Sequence, residues 1–204
     1  MIKQVLFATT NKQKIKRLSL LTPVKLISLA DLSYAISEPE ETGKDALDIS
    51  IAKARHYWNF LKEKMPVLTQ DDTLKLEVKD EDNPGAHTKE PVIKKYGEFT
   101  DGNAISYYTD MAKKYGGIIP MYFEYGHTLC FVDNGELMLS ARKSKLVGRI
   151  VTEARENEST KGYFLAAIMQ VNVEDKWIYY SELTPDELVK ADFGIAESLK
   201  RLLA

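Results

Sequence analysis

Thr9–Thr10–Asn11–Lys12–Gln13–Lys14 joins the apolar run Lys3–Ala8 to a segment with helical periodicity. A strand that enters a helix through small polar residues leaves backbone N–H groups at the junction, where the helix dipole favours an anion. Lys12 and Lys14 add cationic ends, and the hydroxyls of Thr9 and Thr10 and the Asn11 amide add further donors. This is phosphate-cradle chemistry without the glycines of a Walker loop. An N-capped surface helix with solvated lysines is the plainer reading of the same residues. A second cluster, Glu38, Glu40 and Glu41 with Thr42–Gly43, precedes a helix that carries Asp45, Asp48 and Lys53. Acids in that position either serve the cap and the dipole or face a cation. The third cluster is Asp71–Asp72–Thr73, at the end of an apolar strand. Ligands bind at such strand ends in α/β sheets, and strand alternation sends one carboxylate inward and one outward. A turn with satisfied side chains is the alternative there. Together the clusters suit Mg²⁺-assisted chemistry on a polyphosphate, because Mg²⁺ takes hard oxygen ligands and keeps several waters. A metal-held water with a carboxylate as base can attack phosphorus.

The elements that must position these residues follow from apolar spacing. Lys3–Ala8 reads as a buried strand and Lys12–Leu21 as a helix with Ile15, Leu18 and Leu21 on one stripe, ended before Pro23. Val24–Leu29 is a second strand, Glu38–Lys44 a loop, and Asp45–Lys62 a long helix striped by Leu47, Ile51, Ala54, Trp58 and Leu61. Pro66–Thr69 opens a third strand. Asp80–Gly117 should hold a loop at Asn83–Pro84–Gly85 and one or two short helices, one near Ile105–Tyr115. Period-two patterning then predicts two hairpins. Met121–Val132 and Leu137–Arg142 flank Asp133–Asn134–Gly135, and Tyr163–Val173 and Trp177–Tyr180 flank Glu174–Asp175–Lys176. A final helix spans about Thr184–Leu203, with a possible break near Gly194. The expected class is α/β, a mixed, strongly twisted sheet with helices around it.

Composition narrows the function classes. The 204 residues carry 28 Lys plus Arg against 30 Asp plus Glu, a formal charge of -2. That balance argues against a protein held to nucleic acid by bulk positive charge, but a small anion needs only a few placed cations. The single cysteine, Cys130, rules out an internal disulfide and a multi-cysteine zinc site, and its apolar surroundings predict a buried, inert thiol. No apolar stretch approaches the ~20 residues that span a bilayer, and the N-terminal apolar part is too short for a secretory signal. No membrane partner and a cytoplasmic location are the expectation.

The order of the clusters is similar to that of the inosine triphosphate pyrophosphatase family, the non-canonical purine nucleoside triphosphate pyrophosphatases. The family's T-G-N-x-x-K resembles Thr9–Lys14, its E-T-G with a following helical lysine resembles Glu41–Thr42–Gly43 and Lys53, and its D-D-S-G-L or E-D-T-x-L resembles Asp71–Asp72–Thr73–Leu74. Its P-G resembles Pro84–Gly85, and its G-x-I resembles Gly148–Arg149–Ile150. The likeness is specific over residues 5–85 and thin beyond. It implies an elongated mixed sheet in one two-lobed domain over residues 1–204, with a central cleft and usually a homodimer. It also implies hydrolysis of a nucleoside triphosphate between the α and β phosphates, giving a monophosphate and pyrophosphate. By position, Glu41 and Asp72 would help hold Mg²⁺, Asp71 or Asp72 would orient or deprotonate water, and Lys14 and Lys53 with Thr9 and Asn11 would bind the triphosphate. Lys53 also counts with the catalytic residues, and Thr10, Lys12 and Thr73 on the matched stretches with the substrate contacts.

The departures lie where the base would be read. In place of the family's G-F-G-[YW]-D-P stands Lys161–Gly162–Tyr163–Phe164–Leu165–Ala166–Ala167, with Phe164 at the carboxylate's place. In place of its S-H-R stands Ala191–Asp192–Phe193–Gly194, and His56, His87 and His127 lie elsewhere. A pocket discriminates between bases through polar groups that go unpaired with the wrong one, so base preference does not carry over. Phe164, Phe193, Tyr163 or Trp177 are candidates to stack on another base, or they belong to the core. Two readings stay open: an active pyrophosphatase with altered base specificity, and a catalytically silent nucleotide-binding relative. Lys89, Lys94, Lys95, Lys113 and Lys114 form either a solvated face or a lid over phosphates. Arg142, Lys143 and Lys145 are candidates for the same cleft.

Overall fold

The computed structural model describes residues 2–40, 43–62, 64–85, 87–158 and 160–204. Seven strands form one mixed, twisted sheet in the order β2-β1-β3-β4-β5-β6-β7. β1 is Gln4–Phe7, α1 Lys12–Leu21, β2 Lys25–Ser28, α2 Ala46–Phe60 and β3 Val67–Leu76. After these come α3 Glu90–Tyr96, α4 Asp101–Lys114, β4 Ile118–Asp133 and β5 Glu136–Val151. The chain ends with α5 Leu165–Ile168, β6 Met169–Val173, β7 Lys176–Tyr179, α6 Pro185–Ala191 and α7 Phe193–Leu203. None of the described helices is long and apolar enough to cross a membrane.

β1 pairs in parallel with β2 on one side and β3 on the other. The chain therefore leaves β1 toward one edge and passes back beyond it to reach β3. With both crossovers right-handed, as nearly all are, α1 and α2 cover opposite faces of the sheet. The space past the carboxyl ends of β1 and β3 is the topological switch point where α/β sheets place ligands. β5, β6 and β7 pair antiparallel.

Both predicted hairpins form. The β4–β5 turn has positive φ at Asn134 (49°) and Gly135 (85°), the conformation that Asn-Gly supplies. The β6–β7 turn puts Glu174 and Asp175 there instead, at 51° and 63°. Three expectations need correction. The acidic pair does not end the third strand: β3 opens as expected and runs on to Leu76, so Asp71 and Asp72 lie inside it. Only Met169–Val173 of the expected Tyr163–Val173 strand is extended. Ahead of it Leu165–Ile168 are helical, and all four of those residues are buried, because their apolar run fills a core instead of alternating across a sheet. Two helices, α3 and α4, occupy the middle segment, and the second starts at Asp101 rather than Ile105. The closing helix breaks at Asp192, just ahead of Gly194.

The chain divides into two compact units. The first comprises residues 1–72, 124–145 and 193–204. Its core holds Val5, Leu6 and Phe7 of β1, Leu18 of α1, Ala54 and Tyr57 of α2 and Leu199 of α7, with the free Cys130, fully buried, on β4. Burial pushes the Cys130 thiol up, in keeping with an inert thiol. The second unit comprises residues 73–123 and 146–192, with Leu74, Tyr108, Phe123, Ile150, Phe164 and Val171 among its buried residues.

Candidate active site

In the first unit, β1 ends at Phe7 opposite Leu68, while β3 continues. Asp71 and Asp72 sit three and four residues beyond Leu68, roughly 10 Å past the end of the pairing at about 3.3 Å per residue. Adjacent residues of a strand face opposite ways. Asp71 pairs with Lys53 of α2 (Nζ to Oδ2, 2.5 Å), and Asp72 pairs with Lys14 of α1 (2.7 Å). The two helices that the crossovers place on opposite faces thus each send one lysine to one of two neighbouring carboxylates.

Each pair is set by its own packing. On the α2 face, the buried hydroxyls of Ser50, Thr69 and Thr128 lie together, Ser50 Oγ 3.0 Å from both threonine Oγ1 atoms, and Thr69 Oγ1 donates to the Ser50 carbonyl at 2.7 Å. They fix α2 against β3 and β4 one turn before Lys53. Gly126 on β4 permits the contact, since a Cβ there would lie 2.3 Å from the Ala46 carbonyl oxygen. Gly43 is needed for a similar reason: a Cβ would lie 2.5 Å from the backbone nitrogen of Ile49. Asp45 caps α2, accepting from Leu47 and Asp48 N–H, and its other oxygen takes Lys143 Nζ at 2.7 Å. Lys143 also reaches Glu124, so its ammonium ties β5 to α2 and β4 rather than waiting for phosphate.

The α1 face is different. Asn11 Oδ1 accepts from the N–H groups of Gln13 and Lys14, and Asn11 N–H donates to Thr9 Oγ1. Much of the expected anion cradle is therefore satisfied by its own loop. What projects are the exposed Thr10 and Lys12 and the half-buried Thr9 and Lys14. Beneath them Arg17 is buried, its guanidinium donating to the Tyr125 hydroxyl at 3.0 Å and lying 4.8 Å from that ring. His127 stacks beside Tyr125, is fully buried, and shares a 2.9 Å hydrogen bond between Nε2 and Ser144 Oγ. The Nδ1 atom of His127 and both amide atoms of Gln70 are buried without a partner. The sequence reading missed this polar layer. Its one signal was Arg17, a cation beside Leu18 on the buried stripe of α1.

The two carboxyl groups shift in opposite directions. Burial drives Asp71 above the ordinary carboxylate range, the Lys53 ammonium offsets this only in part, and the charge on Asp72 pushes the same way as burial. Burial also acts to raise Asp72, but Lys14, Arg17 and Lys53 together hold it below that range. His127 is pushed down to about 3, first by burial and then by Arg17 and Lys14, and stays a neutral imidazole.

The metal expectation fits these residues within limits. The described residues hold no cluster of three or more His, Cys, Asp or Glu, and Glu41, expected to share the metal with Asp72, lies outside the described residues, as does Thr42. Because Asp71 pairs with Lys53 and Asp72 with Lys14 on different helices, a single ion here would draw on one of the two carboxylates. A single protein carboxylate with the remaining sites filled by water and phosphate oxygens is nevertheless a common Mg²⁺ arrangement.

The second unit accounts for several remaining candidates. Thr73, its first residue, is buried with Oγ1 unpartnered. Phe164 is no base-stacking platform, because it packs against Tyr108 and Phe99 in the core at 5.5 and 5.7 Å between ring centres. Tyr163 sits edge-on to Tyr180, and the Tyr180 hydroxyl donates to the buried Asp192 at 2.9 Å. Trp177 is exposed with the Arg149 guanidinium 4.1 Å over its ring. Three of the five lysines considered for a lid are held locally, Lys95 and Lys113 by Asp110 and Lys114 by Asp82, and a fourth, Lys89, lies over the Phe99 ring. Back in the first unit, Phe193 at the start of α7 is 65% exposed.

Known proteins share this fold. A HAM1 protein from Coxiella burnetii matches with a TM-score of 0.68 at 21% identity, covering 100% of this chain and 98% of its own. The Ham1 protein of Staphylococcus aureus matches with a TM-score of 0.62 at 18% identity, covering 98% and 99%. No curated protein matches the sequence. The Ham1 family model matches residues 5–192, and in keeping with the resemblance to inosine triphosphate pyrophosphatases, the chain belongs to the Ham1 family.

Proposed function

We propose that the protein is a Mg²⁺-dependent nucleoside triphosphate pyrophosphatase with altered base specificity. Ham1 membership supports a nucleotide pyrophosphatase-like function. The observation that carries the finer reading is the split pair on β3: neighbouring carboxyls, each facing a lysine from a different helix, one shifted up and one down. Two titratable groups driven apart by their surroundings divide into acid–base roles. Asp71 is the base, taking a proton from the water that attacks the α phosphorus. The oxygen bridging the α and β phosphorus atoms leaves with the bonding electrons as pyrophosphate. Asp72, its carboxyl held below the ordinary range, and Glu41 would hold the metal. When bound, Mg²⁺ would neutralise phosphate charge and polarise the attacked phosphorus. Lys14 and Lys53 pass from the aspartates to phosphate oxygens as substrate enters, with Thr9, Thr10, Asn11 and Lys12 along the chain and Thr73 beside the aspartates. Base selection falls to residues other than Phe164, with the exposed Phe193 of the first unit as the stacking candidate.

The test is a panel of canonical, deaminated and modified nucleoside triphosphates incubated with Mg²⁺, with pyrophosphate and monophosphate detected separately. Turnover of at least one supports the proposal; none across the panel overturns it. A silent nucleotide-binding protein is the second reading. It is favoured by one observation: both aspartates and the first N–H groups of α1 are already satisfied internally. It predicts thermal stabilisation without product, worth about 2.7 kcal/mol at a hundredfold excess of ligand over Kd. A single two-lobed catalytic domain acting as a cytoplasmic homodimer belongs to the same proposal, and light scattering after gel filtration tests the dimer.

A further inference from the structure

α7 lies close against β5 in the first unit, because Gly194 has no side chain. A Cβ there would come within 3.2 Å of the Lys145 carbonyl oxygen. Between the two elements an open groove of about 290 Å³ is lined by Ala141, Arg142 and Lys143 of β5 and by Gly194, Glu197, Ser198 and Arg201 on one stripe of α7. Its lining includes none of Lys14, Lys53, Asp71 and Asp72, the ion-paired residues around β3. Arg142 and Arg201 are exposed and make no ion pair among the described residues, whereas Lys143 is committed to Asp45 and Glu124. The Glu197 carboxylate lies 3.6 Å from Lys200, which offsets its charge. Ser198 is 5% exposed, and its buried hydroxyl has no hydrogen-bond partner. A helical serine normally discharges its donor on the carbonyl four residues back, here that of Gly194. A buried hydroxyl left without a partner costs about 1–3 kcal/mol, so an unmade bond in a groove wall indicates an acceptor supplied from outside.

We infer that this groove binds a tetrahedral phosphate dianion, free or as a small phosphate monoester. Two guanidinium groups offer planar forks of N–H donors suited to phosphate oxygens, and the Ser198 hydroxyl adds a donor from the wall. Glu197 at the rim accepts from a hydroxyl of an ester's carrier.

Amide NMR of the full chain, titrated with inorganic phosphate and separately with ribose 5-phosphate at ionic strength matched with sodium chloride, tests this. Saturable shifts at Gly194, Glu197, Ser198 and Arg201 are expected. Arg142→Ala with Arg201→Ala, both at exposed positions that leave the fold intact, should weaken binding at least tenfold, while Lys14→Ala should leave it unchanged. Tighter binding of ribose 5-phosphate identifies the occupant as a monoester, and equal or tighter binding of inorganic phosphate identifies the free ion. Shifts confined to Thr9–Lys14, an absence of saturation, or unchanged binding by the doubly substituted protein would overturn the inference.

Discussion

The two faces of β3 use the same ion pair for different ends. On the α2 side, Lys53 meets Asp71 amid small, tightly packed groups, where glycine and three buried hydroxyls bring the helix down onto the sheet. One ammonium does not outweigh the loss of water, so the Asp71 carboxyl is raised. On the α1 side, Arg17 adds a second cation behind Lys14, and the charges win over burial. A lysine beside an aspartate therefore does not fix the aspartate's protonation. The balance between desolvation and the number of nearby cations does, and it raises one carboxyl while lowering its neighbour one residue away.

The largest effects come from removing either member. Asp71→Asn should cut kcat by about 10²–10⁴, the usual share of a general base. Asp72→Asn should lower activity mainly by raising the Mg²⁺ concentration needed for half-maximal rate. Steady-state kinetics across a Mg²⁺ series separates the two, and identical profiles for both variants would erase the proposed division of roles.

Acid stability sharpens the α1 side. His127 accepts a proton in the unfolded chain below about 6.5 but in the fold only at about 3. Protons bound by the unfolded state alone make stability fall as pH drops. Stability should therefore be complete above 6.5 and decline through the window down to 3, at up to about 1.4 kcal/mol per pH unit from this group. Asp72, lowered, adds loss at the acid end, while Asp71, raised, acts in the opposite sense, its contribution present at low pH and lost as pH rises through its folded pKa. Urea unfolding of His127→Gln between pH 7 and 4 should show a shallower slope than the unaltered protein.

Smaller still is Ser50→Ala on the α2 side, which removes the Ser50 hydroxyl from Thr128 and Thr69 while Thr69 keeps its bond to the residue-50 carbonyl, at a cost of about 1–3 kcal/mol. Thermal melting reads this loss, and turnover should fall with it because Lys53 rides on the same turn. The smallest effect on stability is Phe193→Ala, with the ring already 65% exposed. If it stacks on the base, KM rises while the melting temperature stays within a degree or two; an unaltered KM for every substrate removes it from the pocket.

The N-terminal half was legible because its signals are local. Apolar spacing placed β1, α1 and α2 to within a residue or two, and Asn-Gly placed the β4–β5 turn. The polar Gln70–Thr73 read as the end of the third strand, yet β3 carries them on as extended chain to Leu76. Leu165–Ile168 misled in the opposite direction: continuous burial suits a strand or a helix, and periodicity cannot separate them over four residues. At the site, Asp71, Asp72, Lys14 and Lys53 were readable as types at suggestive spacing. Their pairing, one lysine per face, was not, since it depends on which way each crossover turns. Nothing local marks His127 as a neighbour of that site, because β4 brings it there from a distant part of the chain.

The division between the two aspartates is most directly tested by titrating their side-chain carboxyl carbons by ¹³C NMR in the unaltered protein. The expected result is that Asp71 titrates above and Asp72 below the ordinary value of about 3.9. Titration in the reverse order, or at one common value, would contradict it.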